Sequence, residues 1–347
     1  MLKDVLQIIL ITYNRSNKLK ETFEQIFSVA SPIRDFNITI LDNNSTDDTA
    51  KIVAEYQKKF KNLSYTKNRH NIGGNANIMK AFYLASYKYV WVLADNDYYC
   101  FDAWDEVEKE IEAETDAIVV ARYERPEIDI AQLYIQATFL PGVIYKTSNI
   151  DDNVMGNMAY GISIMFPHLA LFAKLINEHK KIKIVRKAIV HVGDNKDEKT
   201  GKYIYTRGYT DKNLHPYLRD MNWLAGYAHA TQFITNKKTK DYLTKHNLFF
   251  LTPLNSIKVF FVNYKEGNGA FSNLIAIFCV LNFWQKIKFL FNWIAYFSLY
   301  RTVCFFSKCE RPHEEDNYYF KQYWLYLFWI IKMKLFTLKV KIQEKNV

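Results

Sequence analysis

Two carboxylates placed two residues apart are the clearest chemical feature of the sequence. Asp95 and Asp97 follow residues 89–94 (YVWVLA), a run apolar enough to form a buried strand. Such a pair forms a compact oxygen site of the kind that Mg²⁺ or Mn²⁺ prefers when its remaining ligands are waters and substrate phosphates. Because Asp and Asn are also common in turns, a hydrophilic turn is the alternative interpretation.

Three other polar segments each follow an apolar segment. They are residues 12–15 (TYNR), 42–48 (DNNSTDD) and 68–75 (NRHNIGGN). The apolar segments predict strands at 6–12, 37–41, 63–66 and 89–94. Helical patterns alternate with these strands at 18–30, 49–60, 75–86 and 102–115.

This alternation predicts an α/β fold with a mostly parallel sheet covered by helices on both faces. In open sheets of this kind, ligands bind beyond the carboxyl ends of the strands. We therefore expect the four polar segments to lie along one edge of the sheet and to form one site.

Taken together, TYNR, DNNSTDDT, NIGGN and LADND resemble the motifs of family 2 glycosyltransferases in order and approximate spacing. The resemblance is strong over about residues 5–125 and loose over 126–225. It implies a GT-A-type fold, a nucleotide-sugar donor carrying UDP, dTDP or GDP, an inverting transfer, and a divalent cation, Mn²⁺ or Mg²⁺.

The resemblance also implies three groups of nucleotide-binding residues. The first lies along the base and consists of Thr12, Tyr13, Asn14 and Arg15, with the Tyr13 ring available for stacking. The second is Asp42, which would accept a hydrogen bond from a pyrimidine ring N–H. The third passes close to the nucleotide and consists of Asn71, Gly74 and Asn75, the last of which would cap the following helix.

In the aspartate motif, the resemblance places Asp95 near the ribose and a metal-bound water, with Asn96 beside it, and Asp97 on the cation itself. Both Asp95 and Asp97 are therefore expected to belong to the metal site. Residues 140–142 (LPG) would lie near the donor sugar.

An inverting transfer also needs a general base to take the proton of the acceptor hydroxyl. The family usually supplies an aspartate, but this chain has His168 at the corresponding place. Histidine suits the role near neutral pH, although a histidine packed at the start of a helix is an equal alternative. The reserve candidates are Asp151, Asp152, His191 and Asp194, and His191 is alternatively a further ligand of the cation.

Charge divides the 347-residue chain into two parts, although the net charge of the whole is +10. Residues 1–230 hold 29 basic and 29 acidic side chains, whereas 231–347 hold 17 and 7. The second part also contains 28 of the 57 aromatic residues. We therefore expect a catalytic GT-A domain at 1–230 and a helical, basic and aromatic region at 231–347.

The spacing of the 4 cysteines predicts neither a disulfide framework nor a metal site, which fits a reducing cytoplasm. The N-terminus reads as a strand rather than a signal peptide. In the last third, no apolar run reaches the roughly 20 residues of a spanning helix. Its lysine-flanked aromatic segments instead predict contact with the headgroup region of a membrane, or alternatively a helical core or a homo-oligomer interface.

The leading hypothesis is a metal-dependent inverting glycosyltransferase that extends a surface glycan, such as a lipooligosaccharide, a capsule or a lipid-linked acceptor. It would be peripheral on the cytoplasmic face of the inner membrane. One alternative is a nucleotidyltransferase, for which TYNRSN is a poor phosphate loop. The other is a nucleic-acid-binding protein, but the aromatic residues of the last third form continuous apolar blocks, so we expect no nucleic-acid partner.

Overall fold

The structure is a computed structural model that describes residues 2–120, 129–193 and 223–244, with short stretches between 278 and 294. Residues 1–287 form one compact unit and residues 288–347 a second. Most of the predicted C-terminal region lies outside the described residues, and the predicted domain boundary after residue 230 stays a prediction.

Nine helices are described within residues 2–244 of the first unit, in addition to several short 3-10 turns. They are α1 Ser16–Ile26, α2 Thr49–Lys59, α3 Gly74–Tyr83, α4 Trp104–Glu112, α5 Ile130–Gln136, α6 Asp152–Tyr160, α7 Leu169–Asn177, α8 Trp223–Ala230 and α9 Lys237–Leu243. The described strands are β1 Leu6–Thr12, β2 Ile38–Asp42, β3 Leu63–Lys67, β4 Tyr89–Ala94, β5 Tyr98–Tyr99, β6 Ala117–Val119, β7 Val143–Lys146, β8 Ile182–Ile184 and β9 Val190–His191.

Seven of the strands form the central sheet in the order β3-β2-β1-β4-β7-β6-β8, and β5 pairs with β9 in a separate ribbon. β1 to β4 are parallel, which confirms the prediction for this half of the sheet. β7 runs antiparallel to β4 and β6. Consequently β1 to β4 end at one edge, which we call the carboxyl edge, while β7 begins near that edge and ends at the opposite one, the amino edge.

The side chains of the central strands alternate between two apolar cores. Leu6, Ile8 and Leu10 of β1 face one core, which is covered by α1, α2 and α4. Ile9 faces the other, which is covered by α3 and by α5 to α8. Because both faces are buried, β1 and β4 are almost continuously apolar, as the sequence indicated.

The strands and helices predicted up to residue 115 are confirmed, with ends that shift by a few residues. The structure adds β5 to β9 and α5 to α7, which the sequence analysis did not assign. These strands have two to four residues, too few for a periodic pattern to appear. Within the part of the chain that the structure describes, no helix is long and apolar enough to cross a membrane.

Candidate active site

The strand register brings the four polar segments together at the carboxyl edge. Thr12 at the end of β1 lies opposite Asp42 at the end of β2, and Asp42 lies opposite Lys67 at the end of β3. On the other side of β1, Ile11 lies opposite Ala94, the residue before Asp95. All four segments therefore begin at nearly the same level, as the parallel arrangement requires.

Asp95 is buried, and two residues of the first segment hold its carboxylate. Thr12 Oγ1 donates to Oδ2 at 2.6 Å, and Arg15 Nη1 donates to Oδ1 at 3.0 Å. The same nitrogen donates to Asn96 Oδ1 at 3.0 Å. Burial raises the pKa of Asp95, while the Arg15 charge and the Thr12 hydrogen bond oppose that rise. The Arg15 guanidinium is thus a fixed counter-ion of the Asp95 carboxylate.

Asp97 is also buried, with 4% of its surface exposed, but it has fewer partners. Among the described residues, the backbone N–H of Gly193 is its hydrogen-bond donor, at 3.0 Å from Oδ1. Burial raises the pKa of Asp97 to about 7, with the neighbouring Asp95 charge adding to the rise and the Gly193 N–H opposing it. No described residue donates a hydrogen bond to Oδ2 of Asp97.

The chemistry of this pair fits a divalent cation. A hard carboxylate oxygen with no fixed donor is the ligand that Mg²⁺ or Mn²⁺ prefers, and a cation there would stabilise the charged form of Asp97. Asp95 fits less well because Arg15 and Thr12 already occupy both of its oxygens. In the described part of the chain, no group of three or more His, Cys, Asp or Glu could hold a metal.

Gly193 is a site residue that the sequence analysis missed. A Cβ at this position would lie 1.4 Å from the carbonyl oxygen of Asn96, so only glycine permits this contact between the two backbones. β9 thereby packs against the aspartate motif and places His191 at the same edge. Asp194, one of the reserve bases, lies outside the described residues. Nothing in the local sequence pairs Gly193 with Asn96, which is 97 positions earlier.

Asp42 is fully buried beneath the second segment, where its carboxylate is well satisfied. Oδ1 accepts from the backbone N–H and the hydroxyl of Ser45 at 2.8 and 2.6 Å, and Oδ2 accepts from the Tyr65 hydroxyl at 2.6 Å. Burial and the hydrogen bond to Asp42 raise the pKa of Tyr65. The implied contact of Asp42 with a nucleotide base stays a prediction.

Asn14 joins the first and second segments. Its backbone N–H donates to Ser45 Oγ at 2.8 Å, and its side-chain oxygen accepts from the Thr46 N–H at 2.7 Å. Asn14 has a positive φ of 50°, a conformation that asparagine tolerates better than most residues. Tyr13 beside it is half-buried.

An amide network fixes the third segment against the second. Asn43 donates to Asn71 Oδ1 at 2.8 Å and accepts from Asn68 Nδ2 at 2.9 Å and from the Ile72 N–H at 3.0 Å. Asn71 in turn accepts from the Gly73 N–H at 2.9 Å. Asn71 therefore stabilises the conformation of the third segment and its contact with the second.

The predicted cap of α3 was wrong. Gly73 occupies the N-cap position with a φ of 84°, while Gly74 and Asn75 already lie in the first turn of the helix. Asn75 Nδ2 instead donates to the carbonyl oxygen of Ile162 at 2.7 Å, which ties the start of α3 to the turn after α6. The left-handed conformation thus requires glycine at 73 rather than at 74.

His168 directly precedes α7 and is buried. Its Nε2 lies 3.0 Å from the carbonyl oxygen of Ala137, so Nε2 carries the proton. Nδ1 has no hydrogen-bond partner among the described residues. Burial lowers the pKa of His168 to about 4, with the hydrogen bond to Ala137 opposing that change, so the ring is neutral at pH 7.

The reserve candidates Asp151 and Asp152 lie at the amino edge, away from Asp95 and Asp97. They follow β7, whose last residue Lys146 pairs with Tyr89 at the start of β4. Asp151 caps α6 by accepting from the Val154 N–H, and it also pairs with Lys174 at 2.7 Å. The Lys174 hydrogen bond is the main cause of its lowered pKa. These contacts indicate a structural role for Asp151.

Residues Leu140–Gly142 lie at the start of β7, toward the carboxyl edge. The Trp91 indole N–H donates to the carbonyl oxygen of Pro141 at 2.8 Å, which fixes this turn to β4. Its predicted proximity to the donor sugar stays a prediction.

Comparison with known proteins shows that residues 7–179, about half of the chain, match glycosyl transferase family 2. An uncharacterized glycosyltransferase of Methanocaldococcus jannaschii is 35% identical over 97 residues, which is 27% of this chain and 33% of that protein. The poly(ribitol-phosphate) beta-glucosyltransferase of Bacillus spizizenii is 23% identical over 167 residues, which is 43% of this chain and 26% of that protein. The aligned segments thus span a third or less of the length of these relatives.

Among solved structures, S. aureus TarS 1–349 in complex with UDP-GlcNAc has a TM-score of 0.50 at 18% identity. The match covers 80% of this chain and 82% of that one. It confirms the predicted GT-A-type fold.

Proposed function

The chain belongs to glycosyl transferase family 2, and from this premise we propose that it is a metal-dependent, inverting glycosyltransferase. It transfers a sugar from a UDP-, dTDP- or GDP-sugar to a hydroxyl group of a surface glycan. The observation that carries the proposal is that the four polar segments begin at one edge of the sheet, where the buried carboxylate of Asp97 has a pKa raised to about 7. A buried carboxylate with a pKa raised in this way is typical of catalytic sites.

In this proposal Asp97 holds the divalent cation, and Arg15 keeps Asp95 and Asn96 in position beside it. When bound, the cation stabilises the negative charge that develops on the departing nucleoside diphosphate. The Asn14, Asn43 and Asn71 networks hold together the first three polar segments, which would surround the nucleotide. Because these segments are already linked by hydrogen bonds, little ordering is needed when the donor binds.

His168 is the proposed general base. Its contact with Ala137 leaves Nδ1 as the basic nitrogen, and the link from Asn75 to Ile162 places the preceding turn at the carboxyl edge. The hydroxyl oxygen of the acceptor bonds to the anomeric carbon as the bond from that carbon to the diphosphate oxygen breaks. The electron pair of the broken bond stays on the diphosphate, and the hydroxyl proton passes to Nδ1. A lowered pKa makes His168 a weak base, so Asp194 and His191 stay as alternatives.

We also propose that the enzyme works on a membrane-linked acceptor at the cytoplasmic face. Two features support this proposal. The name of the Bacillus relative describes a glucosyltransferase acting on poly(ribitol-phosphate). In this chain, Phe283, Trp284 and Ile287 are exposed, and their spacing matches one face of a helix. Exposed Leu290, Phe291 and Ile294 continue the same spacing along the sequence.

The proposal is tested by thermal unfolding of the full chain with a panel of nucleotides and nucleotide-sugars, with and without Mn²⁺. A ligand at 100 times its dissociation constant stabilises the folded state by about 2.7 kcal/mol, so the donor is identified by its shift in Tm. We expect the shift to need Mn²⁺ and to be lost in Asp97→Asn. Asp102→Asn, which removes an exposed carboxylate nearby, is the matched control and should behave as the wild type.

For the base, nucleoside diphosphate release is measured in the presence of acceptor glycans, and donor binding is measured separately. His168→Ala is expected to lower the transfer rate by about 100-fold or more, because general-base catalysis contributes about 10²–10⁴-fold. Donor binding should stay within about twofold, since His168 contacts no donor in this proposal. If transfer is unchanged, Asp194→Asn and His191→Ala are the next variants.

A further inference from the structure

The ribbon of β5 and β9 presents an exposed pair of side chains next to the aspartate motif. Tyr98 lies opposite His191, and Tyr99 lies opposite Val190. Opposed residues of an antiparallel pair share a face, and successive residues alternate between faces. Accordingly Tyr99 and Val190 are buried, whereas Tyr98 is 47% exposed and His191 is exposed as well.

The inner face of the ribbon is firmly held. The Tyr99 ring packs edge-on against Trp91 with centroids 6.0 Å apart, and its hydroxyl donates to the Ala94 carbonyl oxygen at 2.8 Å. The Tyr99 N–H donates to Gln25 Oε1 at 2.8 Å, and the Cys100 N–H donates to the Ile189 carbonyl oxygen at 2.9 Å. The exposed pair, Tyr98 and His191, is therefore held in place by a well-packed inner face.

The outer pair is adjacent to the aspartate motif in the chain. Tyr98 follows Asp97 in the chain, and Gly193, two residues after His191, donates to the Asp97 carboxylate at 3.0 Å. Val192, between them, is also exposed. We call Tyr98, His191 and Val192 the ribbon platform.

The composition of the ribbon platform matches a neutral sugar better than a phosphate. It offers an aromatic ring, an aliphatic side chain and an imidazole, but no lysine, arginine or carboxylate. A pyranose ring has an apolar C–H face that packs on an aromatic ring and hydroxyl groups at its rim that hydrogen-bond to an imidazole. Exposed apolar side chains grouped beside a polar cleft commonly mark a ligand site.

We propose that the ribbon platform binds the pyranose ring of the acceptor, with its C–H face on Tyr98 and one hydroxyl group hydrogen-bonded to His191. This inference rests on the proposed function, because an acceptor hydroxyl must approach the donor sugar that leaves the diphosphate near Asp97. Tyr98 is then a specificity-determining residue, since it selects sugars with an unobstructed C–H face.

The test is saturation-transfer difference NMR on the full chain with a panel of methyl hexopyranosides, at a fixed concentration of protein. In the wild type we expect saturation of the C–H protons on one ring face of at least one sugar. Tyr98→Phe should keep this signal because it keeps the ring, and Tyr98→Ala should lose most of it. Tyr83→Ala is the matched control, since Tyr83 is 73% exposed but lies at the far end of α3.

A second measurement separates this inference from the proposed function. Nucleoside diphosphate release is measured from the panel of nucleotide-sugars with water as the acceptor, and the control Tyr83→Ala should retain the wild-type rate within about twofold. If the wild type releases diphosphate but no hexopyranoside gives a Tyr98-dependent signal, the platform is wrong and the proposed function stands. If the wild type responds to no donor, the proposed function is wrong and the acceptor role of Tyr98 is wrong with it. His191→Ala, expected to weaken the same NMR signal, checks the platform through a second residue.

Discussion

Asp97 combines the proposed metal-binding role with a cost in folding stability. Burial raises its pKa to about 7, whereas the same group has a pKa of 3.8 when unperturbed. At a pH between these two pKa values, Asp97 of the folded chain holds a proton that Asp97 of the unfolded chain has lost. Stability from this group is therefore complete below about pH 4, decreases as the pH rises, and is lowest above pH 7.

We predict that Asp97→Asn stabilises the protein at pH 8 in the presence of a chelator. A shift of about three pKa units corresponds to at most about 4 kcal/mol, and the gain should vanish near pH 4, where both forms are neutral. Urea unfolding of the full chain at the two pH values measures the difference. Asp102→Asn should change stability little at either pH, and an Asp97→Asn variant that is less stable than the wild type at pH 8 would contradict the prediction.

Arg15 and Asp95 are predicted to be energetically coupled. Arg15→Met leaves a buried carboxylate without its cation and should destabilise the fold by about 1–3 kcal/mol. Asp95→Asn in the Arg15→Met background should recover part of that loss, because it removes the charge that lacks a partner. A double-mutant cycle in urea is expected to give a coupling free energy of about 0.5–3 kcal/mol, whereas additive effects would show that the 3.0 Å contact contributes no net stability.

At the scale of single elements, the entry to α3 shows how one backbone angle shapes the site. Gly73 has a φ of 84°, and its N–H bonds to Asn71, so the turn carries the third polar segment into the helix. The next residue, Gly74, is helical, and a Cβ there would meet no atom within 4 Å. Two adjacent glycines thus have different roles.

We predict opposite effects of alanine at these two positions. Gly73→Ala forces a side chain into the left-handed region and should cost about 1–2 kcal/mol of stability. Gly74→Ala should be neutral or stabilising by up to about 1 kcal/mol, since alanine favours helix. Thermal unfolding of the two variants compares them directly, and an equal loss in both would contradict the assignment of the N-cap to Gly73.

The β5–β9 ribbon shows how much an element can depend on a distant contact. Its two-residue strands are separated by 90 intervening residues, and the packing of Gly193 on Asn96 brings them together. An antiparallel ribbon this short gains its stability from the core beneath it, which here includes Tyr99 and Trp91. The element that completes the site is therefore a product of tertiary packing.

At the scale of the whole molecule, the charge and the exposed apolar side chains predict a surface-binding protein. The excess of basic residues lies entirely in residues 231–347, and Trp284 and Phe283 are exposed. Each basic residue near an anionic membrane contributes about 1 kcal/mol. The attraction of the basic residues to anionic lipid adds to the insertion of the exposed apolar side chains, so we expect stronger binding to anionic vesicles than to neutral ones.

We predict that the full chain co-sediments with vesicles containing phosphatidylglycerol and less with vesicles of phosphatidylcholine alone. The paired substitution Phe283→Ser with Trp284→Ser should lower the bound fraction several-fold, because it removes apolar area that enters the interface. Tyr83→Ser, another exposed aromatic position, is the control and should bind as the wild type. Equal binding of all three proteins would contradict this assignment.

The sequence by itself determined the first half of the sheet and the edge at which its four polar segments meet. Strands such as β1 and β4 are buried on both faces, so their apolar runs are visible without any structure, and parallel strands necessarily end at one edge. The aspartate motif could be placed at that edge for this reason. The partners of its two members could not, because Arg15 and Gly193 contact them from 80 and 96 positions away.

Only the tertiary structure decided which residues share the site and in what state. It showed that the Asp95 carboxylate is paired with the Arg15 cation, whereas Asp97 has no ion pair among the described residues and has a pKa raised to about 7. The two residues look alike in the sequence. It also placed Asp151 and Asp152 at the amino edge, away from Asp95 and Asp97, because β7 runs antiparallel to β4. Strand direction, burial and long-range contacts set these properties, and none of them follows from local spacing along the chain.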